Sequence, residues 1–396
     1  MQPLVLSSYT ATSCIGRGVA PTLASLTALR SGLAPCAFET VRLDTYVGEV
    51  AGVDAAPLPA ALGEFECRNN RLAWLALAQD GLCEAVERAA ARYGRARLGV
   101  FLGTSTSGIL ETELAFRHRD AGGALPPGFR YAGAHNTFSL AAFTQRALGL
   151  AGPAVVISSA CSSSAKVFAS AQRAIAAGLI DAALVGGVDS LCLTTLYGFH
   201  SLQLVSRAPC RPFDPARDGI SIGEAAAFAL LERASDAHGA DAVLLCGAGE
   251  SSDAYHMSAP HPQGRGARAA MAAALTSAAL APEDIDYLNL HGTGTPSNDA
   301  AEALAVAALF GARLPASSTK GATGHALGAA GAVEAVICAL ALKHGLLPGG
   351  ANTRTLDPAC AIDYLTENRA APLKYAMSNS FGFGGSNCSL IFGRAA

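Results

Sequence analysis

Short apolar runs alternate with longer amphipathic ones along this chain. Residues 97–103 (RLGVFLG), 154–158 (AVVIS), 182–188 (AALVGGV) and 225–231 (AAAFALL) are apolar almost throughout and end in glycine or polar residues. Runs this short, without polar alternation, read as strands buried on both faces. Apolar positions at helical spacing fill the gaps at 71–93, 139–148 and 162–177. From residue 241 the alternation restarts, with strands predicted over 242–247, 285–291 and 389–392 and helices over 267–280, 299–310 and 329–344. Alternating β and α elements predict an α/β fold around a mostly parallel sheet.

A weak echo runs through the pattern. Pro153-Ala154 leads through a strand to Cys161 and a helix ending at Gly178-Leu179, and Pro315-Ala316 leads through a strand to His325 and a helix ending at Gly345-Leu346. Two fused halves, 1–240 and 241–396, are expected, joined through the polar stretch 233–240.

Composition narrows the class. Of 396 residues, 51% are hydrophobic and 15% charged, and the net charge is −3. So much apolar content with so little net charge excludes disorder. An isoelectric point of 6.3 gives no footprint for nucleic acid. A mean hydropathy of +0.31 invites a membrane reading, but a spanning helix needs about 20 mainly apolar residues, and the runs 225–231 and 335–342 are shorter. No basic segment followed by an apolar one marks a secretion signal, so a cytoplasmic protein is expected. The eleven cysteines are odd in number and form no CxxC pair, which argues against disulfides and a structural zinc site. His256 and His261 have Met, Pro and Gln around them rather than further ligands, so no transition metal is expected.

Four segments carry candidate chemistry. In residues 158–165 (SSACSSSA) Cys161 falls between a predicted strand and helix, where the positive end of the helix favours thiolate. The same residues would also serve as small packing partners of a buried cysteine. Lys166, five residues on, lies about 140° round the helix and reads as a structural charge. Residues 289–296 (NLHGTGTP) end a strand on His291, with Asp299 and Glu302 following; the threonine hydroxyls suit an amide-containing ligand or local turns. Residues 319–331 (TKGATGHALGAAG) place Lys320 five residues before His325 without fitting a phosphate loop. Residues 379–387 (NSFGFGGSN) offer free backbone N–H groups, or simply a hairpin turn before the last strand.

Taken together and in this order, ACSSS, HGTGTP with its downstream Asp and Glu, TKGATGHALGAAGAVEA and NSFGFGGSN resemble the β-ketoacyl-acyl carrier protein synthases, the elongating branch of the thiolase-like condensing enzymes. DAYHM at 253–257 and RPFDPARDGISIGE at 211–224 agree. The resemblance implies a five-layered αβαβα fold of two similar halves, and a homodimer or a heterodimer with a related subunit. It implies that Cys161 accepts an acyl group, that His291 and His325 complete a Cys-His-His triad, and that Lys320 accompanies the second histidine. Phe383 matches a gating phenylalanine whose N–H, with that of Cys161, forms an oxyanion hole. Thr293, Thr295 and Ser258 match residues along the tunnel for phosphopantetheine, which an acyl carrier protein supplies; no other cofactor is required. Ile109 and Phe199 fall near positions that shape the acyl pocket. Glu334 matches a structural glutamate, and with Asn289, Ser378 and Asn379 it resembles the sodium or potassium site of some members. Arg68, Arg71 and Arg207 are candidates for docking the acidic carrier protein.

The loop after His291 reads GTGTPSND where elongating fatty-acid enzymes commonly carry GTSTPxGD, and residues 4–18 and 104–109 diverge as well. These departures resemble secondary-pathway ketosynthases of the aryl polyene or polyketide type and leave primer and chain length open. Two other readings share the fold. A thiolase would carry a second cysteine near its C-terminus, whereas Cys388 lies in a predicted strand outside such a motif. A chain-length-factor-like subunit would lack the nucleophile that Cys161 provides.

Overall fold

The computed structural model describes residues 1–235, 239 and 241–395. Ten principal strands build two sheets that join edge to edge into one continuous ladder. In the first half these are β1 (Leu4–Ser13), β2 (Leu98–Gly103), β3 (Ala154–Ile157), β4 (Ala182–Asp189) and β5 (Ala225–Arg233). In the second they are β6 (Val243–Ser252), β7 (Tyr287–Asn289), β8 (Pro315–Ser317), β9 (Tyr375–Gly382) and β10 (Ser386–Arg394). The first sheet runs β1-β5-β4-β2-β3 and the second β6-β10-β9-β7-β8. Each pairs its first three strands antiparallel and its last three parallel. The two halves therefore repeat one topology, the physical source of the echo in the sequence. Their sheets join at one corner, where Leu4 and Val5 of β1 pair with Leu245 and Leu244 of β6, and the helices between the sheets pack the halves together over a wide area. The expected junction at 233–240 falls largely on residues 236–238 and 240, outside the described residues.

Alternate residues of each strand serve different cores. In β2 and β4, Phe101, Ala183 and Val185 face an inner core that also holds the helices Ser163–Ala176 and Ala330–His344. Leu98, Val100, Leu102, Leu184 and Val188 face an outer layer that includes the helices Arg68–Leu77, Leu82–Tyr93 and Ser139–Ala147. On the far side, Arg265–Ala278 and Pro296–Phe310 cover the second sheet. The result is five layers, αβαβα, with both faces of each sheet buried. Such burial explains the low charge content.

Four details depart from the sequence reading. The sheets are not mostly parallel: in each, two of the four pairings among its five strands are antiparallel. The helix expected over 71–93 is two helices, broken where Gly81 takes φ 68°. Residues 4–13 and 375–382 form strands where none was expected. Residues Leu327–His344 are long and apolar enough to cross a membrane, with a hydropathy of 1.5, yet 89% of that stretch is buried inside the protein. It is the core of a layered fold, apolar all round because sheets flank it.

Candidate active site

Cys161 stands where β3 turns into the helix Ser163–Ala176. Ala160 before it takes φ 52°, a left-handed conformation that sharpens the turn. The helix can begin this close to β2 because Gly103 has no side chain; a Cβ there would meet the Ser164 nitrogen at 2.4 Å. Cys161 is 5% exposed, and its sulfur lies 3.1 Å from His325 Nε2. Main-chain N–H groups of Cys161 and Phe383 face the same sulfur.

His325 and His291 sit at right angles, with ring centroids 5.3 Å apart. Leu327 N–H donates to His325 Nδ1 at 3.2 Å, so in the neutral ring the proton is on Nε2, facing sulfur. The Lys320 ammonium is 3.5 Å from His291 Nδ1 and donates to the His291 carbonyl at 2.6 Å and to Glu334. An ammonium has no lone pair to offer, so Nδ1 accepts and His291 also carries its proton on Nε2. The Glu302 carboxylate receives the His291 and Gly292 N–H groups, each at 2.8 Å, and Asn379 Nδ2 at 3.1 Å. Asp299 receives the N–H groups of Thr293 at 3.0 Å and Phe213 at 2.9 Å.

Burial decides the protonation states. It pushes both imidazoles well below the usual histidine value, and the Lys320 charge pushes them further. They stay neutral donors at physiological pH. Burial also lifts the Cys161 thiol to about 11, against the pull of Lys320 and the backbone N–H groups. The expectation that a helix N-terminus favours thiolate here is thus corrected: desolvation of the charged form outweighs the dipole, and the resting group is a thiol.

The triad closes the inner end of a cleft open to solvent. Thr293, Thr295, Ser258, Phe199 and Phe383 line it as well, with the two threonine hydroxyls 2.9 Å apart and the two phenylalanine rings 5.5 Å apart. Ile109 is not on this wall. It is partly buried against the apolar cluster that holds Leu110, Leu193 and Ile220, the cluster against which Phe199 also packs.

Two sets of expected residues divide. Arg68 is 3% exposed and spans Glu224, Asp54 and Glu49, so its charge is consumed inside the fold and cannot dock a partner. Arg71 is paired with Glu66. Arg207 is exposed. In the other set, Asn289 Oδ1, Glu334 Oε2 and Ser378 Oγ are buried without a hydrogen-bond partner, and Asn289 and Ser378 are register partners on β7 and β9. Three orphaned oxygens, one of them a carboxylate's, fit a monovalent cation. The Asn379 side chain does not belong with them, because adjacent strand residues face opposite ways; it bonds Glu302 and Ser389 instead.

The sulfur and the two imidazoles hold ligand atoms within 4.8 Å of one another, a set that zinc also uses. The adjacent Lys320 ammonium opposes a divalent cation there. One polar group was not singled out from the sequence. Asp189, 0% exposed, receives six donors: Thr104 Oγ1 (2.7 Å), the N–H and hydroxyl of Ser105 (N–H 2.8 Å), the N–H and hydroxyl of Thr106 (both 2.9 Å) and Gly328 N–H (2.6 Å). An acidic residue closing the apolar run at 182–188 was the available signal.

Residues 62–237 match the family model for the beta-ketoacyl synthase N-terminal domain and residues 242–354 that for the C-terminal domain. Nodulation protein E of Rhizobium meliloti is 38% identical over 305 residues, 75% of each chain. The 3-oxoacyl-[acyl-carrier-protein] synthase 2 of Mycobacterium bovis is 40% identical over 249 residues, 60% of each. Among solved structures, the ketosynthase ApeO of Xenorhabdus doucetiae, in complex with its chain length factor ApeC, superposes with a TM-score of 0.90 at 40% identity, covering 100% of this chain and 98% of that one.

Proposed function

The chain belongs to the beta-ketoacyl synthase family of acyltransferases, and from that premise we propose that Cys161, His291 and His325 carry out decarboxylative condensation of a malonyl thioester with an acyl group held on Cys161. The observation that carries this reading is the Cys161 sulfur 3.1 Å from His325 Nε2 at the closed end of the cleft.

In the first step Cys161 sulfur attacks the carbonyl of an acyl thioester. The oxyanion forms against the N–H groups of Cys161 and Phe383. The departing pantetheine sulfur takes up a proton as Cys161 gives one up, so the exchange needs no external base. A malonyl thioester then loses carbon dioxide, and the electron pair becomes an enolate. Its oxygen is held by the two Nε2–H donors, each worth about 3–4 kcal/mol if it matches an oxyanion-hole donor. The enolate carbon attacks the Cys161 thioester, breaking its C–S bond and releasing the β-ketoacyl product and a thiolate that takes a proton from water.

An acyl carrier protein is proposed as the donor of both thioesters. Its phosphopantetheine would lie along Thr293, Thr295 and Ser258, and no further organic cofactor is needed. A sodium or potassium ion at Asn289, Glu334 and Ser378 would be structural. The edge strand β3, last in its sheet, offers a second subunit a place to pair, either another copy or a related chain as in the Xenorhabdus complex. Eleven free thiols suit the reducing cytoplasm.

The test is incubation of purified protein with malonyl- and acyl-carrier-protein panels, with products weighed by mass spectrometry. Extension by a two-carbon unit and acylation at Cys161 are expected. A Cys161→Ser variant that extends chains at the wild-type rate overturns the assignment.

A further inference from the structure

We propose that Asp189 is a positioning residue that fixes His325 as an Nε2–H donor and so serves the decarboxylation step. The inference rests on the function proposed above and concerns a residue with no contact to sulfur or imidazole.

His325 ends a turn that must continue into the central helix Ala330–His344, and Leu327 within that turn takes φ 49°. A leucine held in the left-handed region is strained, and something must hold it. One restraint is packing: Leu327 is 4% exposed, in the apolar cluster with Ile220 and Leu196. The other is polar. The next residue, Gly328, donates its N–H to Asp189 at 2.6 Å. With Gly328 anchored, Leu327 N–H points at His325 Nδ1, 3.2 Å away. That bond makes Nδ1 the acceptor and leaves the ring proton on Nε2, toward sulfur and the enolate oxygen.

Asp189 is itself fixed. It closes β4, and its other donors come from Thr104, Ser105 and Thr106, the loop leaving β2. One carboxylate thus ties the loop beside the nucleophile to the turn beside the second histidine. Six donors on one buried group with about four lone-pair sites leave no slack, and an amide could not replace it. The NH2 of an asparagine would face either Gly328 N–H or the Ser105 and Thr106 N–H groups, donor against donor.

The two half-reactions use different groups, which makes the proposal testable. Acylation relies on the Cys161 and Phe383 N–H groups and on a sulfur that still has the helix N-terminus and the Lys320 charge. Decarboxylation relies on the histidine donors. Asp189→Asn is therefore expected to slow malonyl decarboxylation at least ten-fold more than it slows Cys161 acylation. In ¹⁵N spectra of the imidazoles, the His325 Nδ1 and Nε2 shifts should move from a pure Nε2–H tautomer toward a mixture. Should Asp189→Asn fail to fold, Gly328→Ala probes the same contact from the other side, since its Cβ would lie 2.8 Å from Asp189 Oδ2; the same split is expected. Equal slowing of both half-reactions, no slowing, or an unchanged tautomer overturns the proposal. The spectroscopic readout does not need turnover. A wild-type protein that condenses nothing refutes the proposed function, while a tautomer shift in the variant would still support the positioning role.

Discussion

Replacing Lys320 by methionine removes one half of a buried ion pair. Lys320 is 1% exposed and Glu334 2%, and the ammonium also satisfies the His291 carbonyl at 2.6 Å. Removing one partner of such a pair costs up to about 3–5 kcal/mol where the remaining group stays ionised, because a charge is then left buried alone, and less at a pH where Glu334 is protonated. Glu334→Gln is milder, about 1–3 kcal/mol, since the ammonium keeps the carbonyl and an amide oxygen. The double variant leaves no stranded charge, so its cost should fall short of the sum by about 2 kcal/mol, within the range for residues in direct contact. The pH dependence follows from the carboxyl. Burial raises Glu334 to about 7 even while Lys320 pulls it down; without Lys320 it rises further. A carboxyl raised above its unfolded value contributes stability below the unfolded pKa and loses it as pH rises through the folded one. In the wild type that loss is complete a little above pH 7, whereas in Lys320→Met it continues. The gap should therefore widen above pH 7 by up to about 1.4 kcal/mol per pH unit. Urea denaturation followed by circular dichroism at pH 6, 7 and 8.5 measures all four corners. Additive costs, or a gap that stays constant with pH, refute the account.

Alkylation of resting Cys161 by iodoacetamide should accelerate with pH up to about 11, where the thiol titrates; a plateau near pH 6 would mean a preformed thiolate. Arg68→Ala should destabilise the fold by about 3–5 kcal/mol by stranding Glu224. By contrast, Arg207→Glu should raise KM for the carrier protein with kcat and melting temperature unchanged. A KM change with Arg68→Ala at intact stability, or none with Arg207→Glu, reverses these roles. If the orphaned oxygens of Asn289, Glu334 and Ser378 hold a cation, potassium or sodium chloride should raise the melting temperature above that in choline chloride at equal ionic strength, and Ser378→Val should abolish the difference. Equal melting temperatures in all three salts would count against a cation there.

The parallel strands β2, β3 and β4 were legible because both faces are buried, so apolar residues run unbroken. The strands β1 and β9 were not, for a physical reason. In β1 the run LVLSSYTATS mixes in hydroxyl residues: Thr10 donates to Asp80 at 2.6 Å, and others lie in the interior. In β9, Ser378, Asn379 and Ser380 occupy buried positions next to the candidate cation oxygens and the Glu302 network. Polar residues inside a strand read as a loop until the groups they serve, which lie far off in sequence, are known. The site divides in the same way. Cys161, His291, His325 and Lys320 stand in compact local motifs and could be named individually. Asp189 could not, because its meaning lies in donors 83 to 85 positions upstream and 139 positions downstream.

The protonation of Cys161 shows where neighbours in sequence mislead. A cysteine opening a helix has every local feature of an activated thiolate, yet the fold places that helix end between two sheets, where the charged form loses its water. The thiol that results changes what the histidines must do. Were the sulfur a stable thiolate, a histidine beside it would be drawn toward imidazolium and would have to lose that proton again before each decarboxylation. With a thiol and two neutral rings, Nδ1 of each is occupied by a donor from behind, and each Nε2–H is already in place when the enolate forms. Electrostatic stabilisation of this kind is effective because no group reorganises at the moment charge appears. The same burial that weakens the nucleophile at rest therefore prepares the oxygen site that the second half-reaction requires, and Lys320, by keeping both rings neutral, serves that step without touching the substrate.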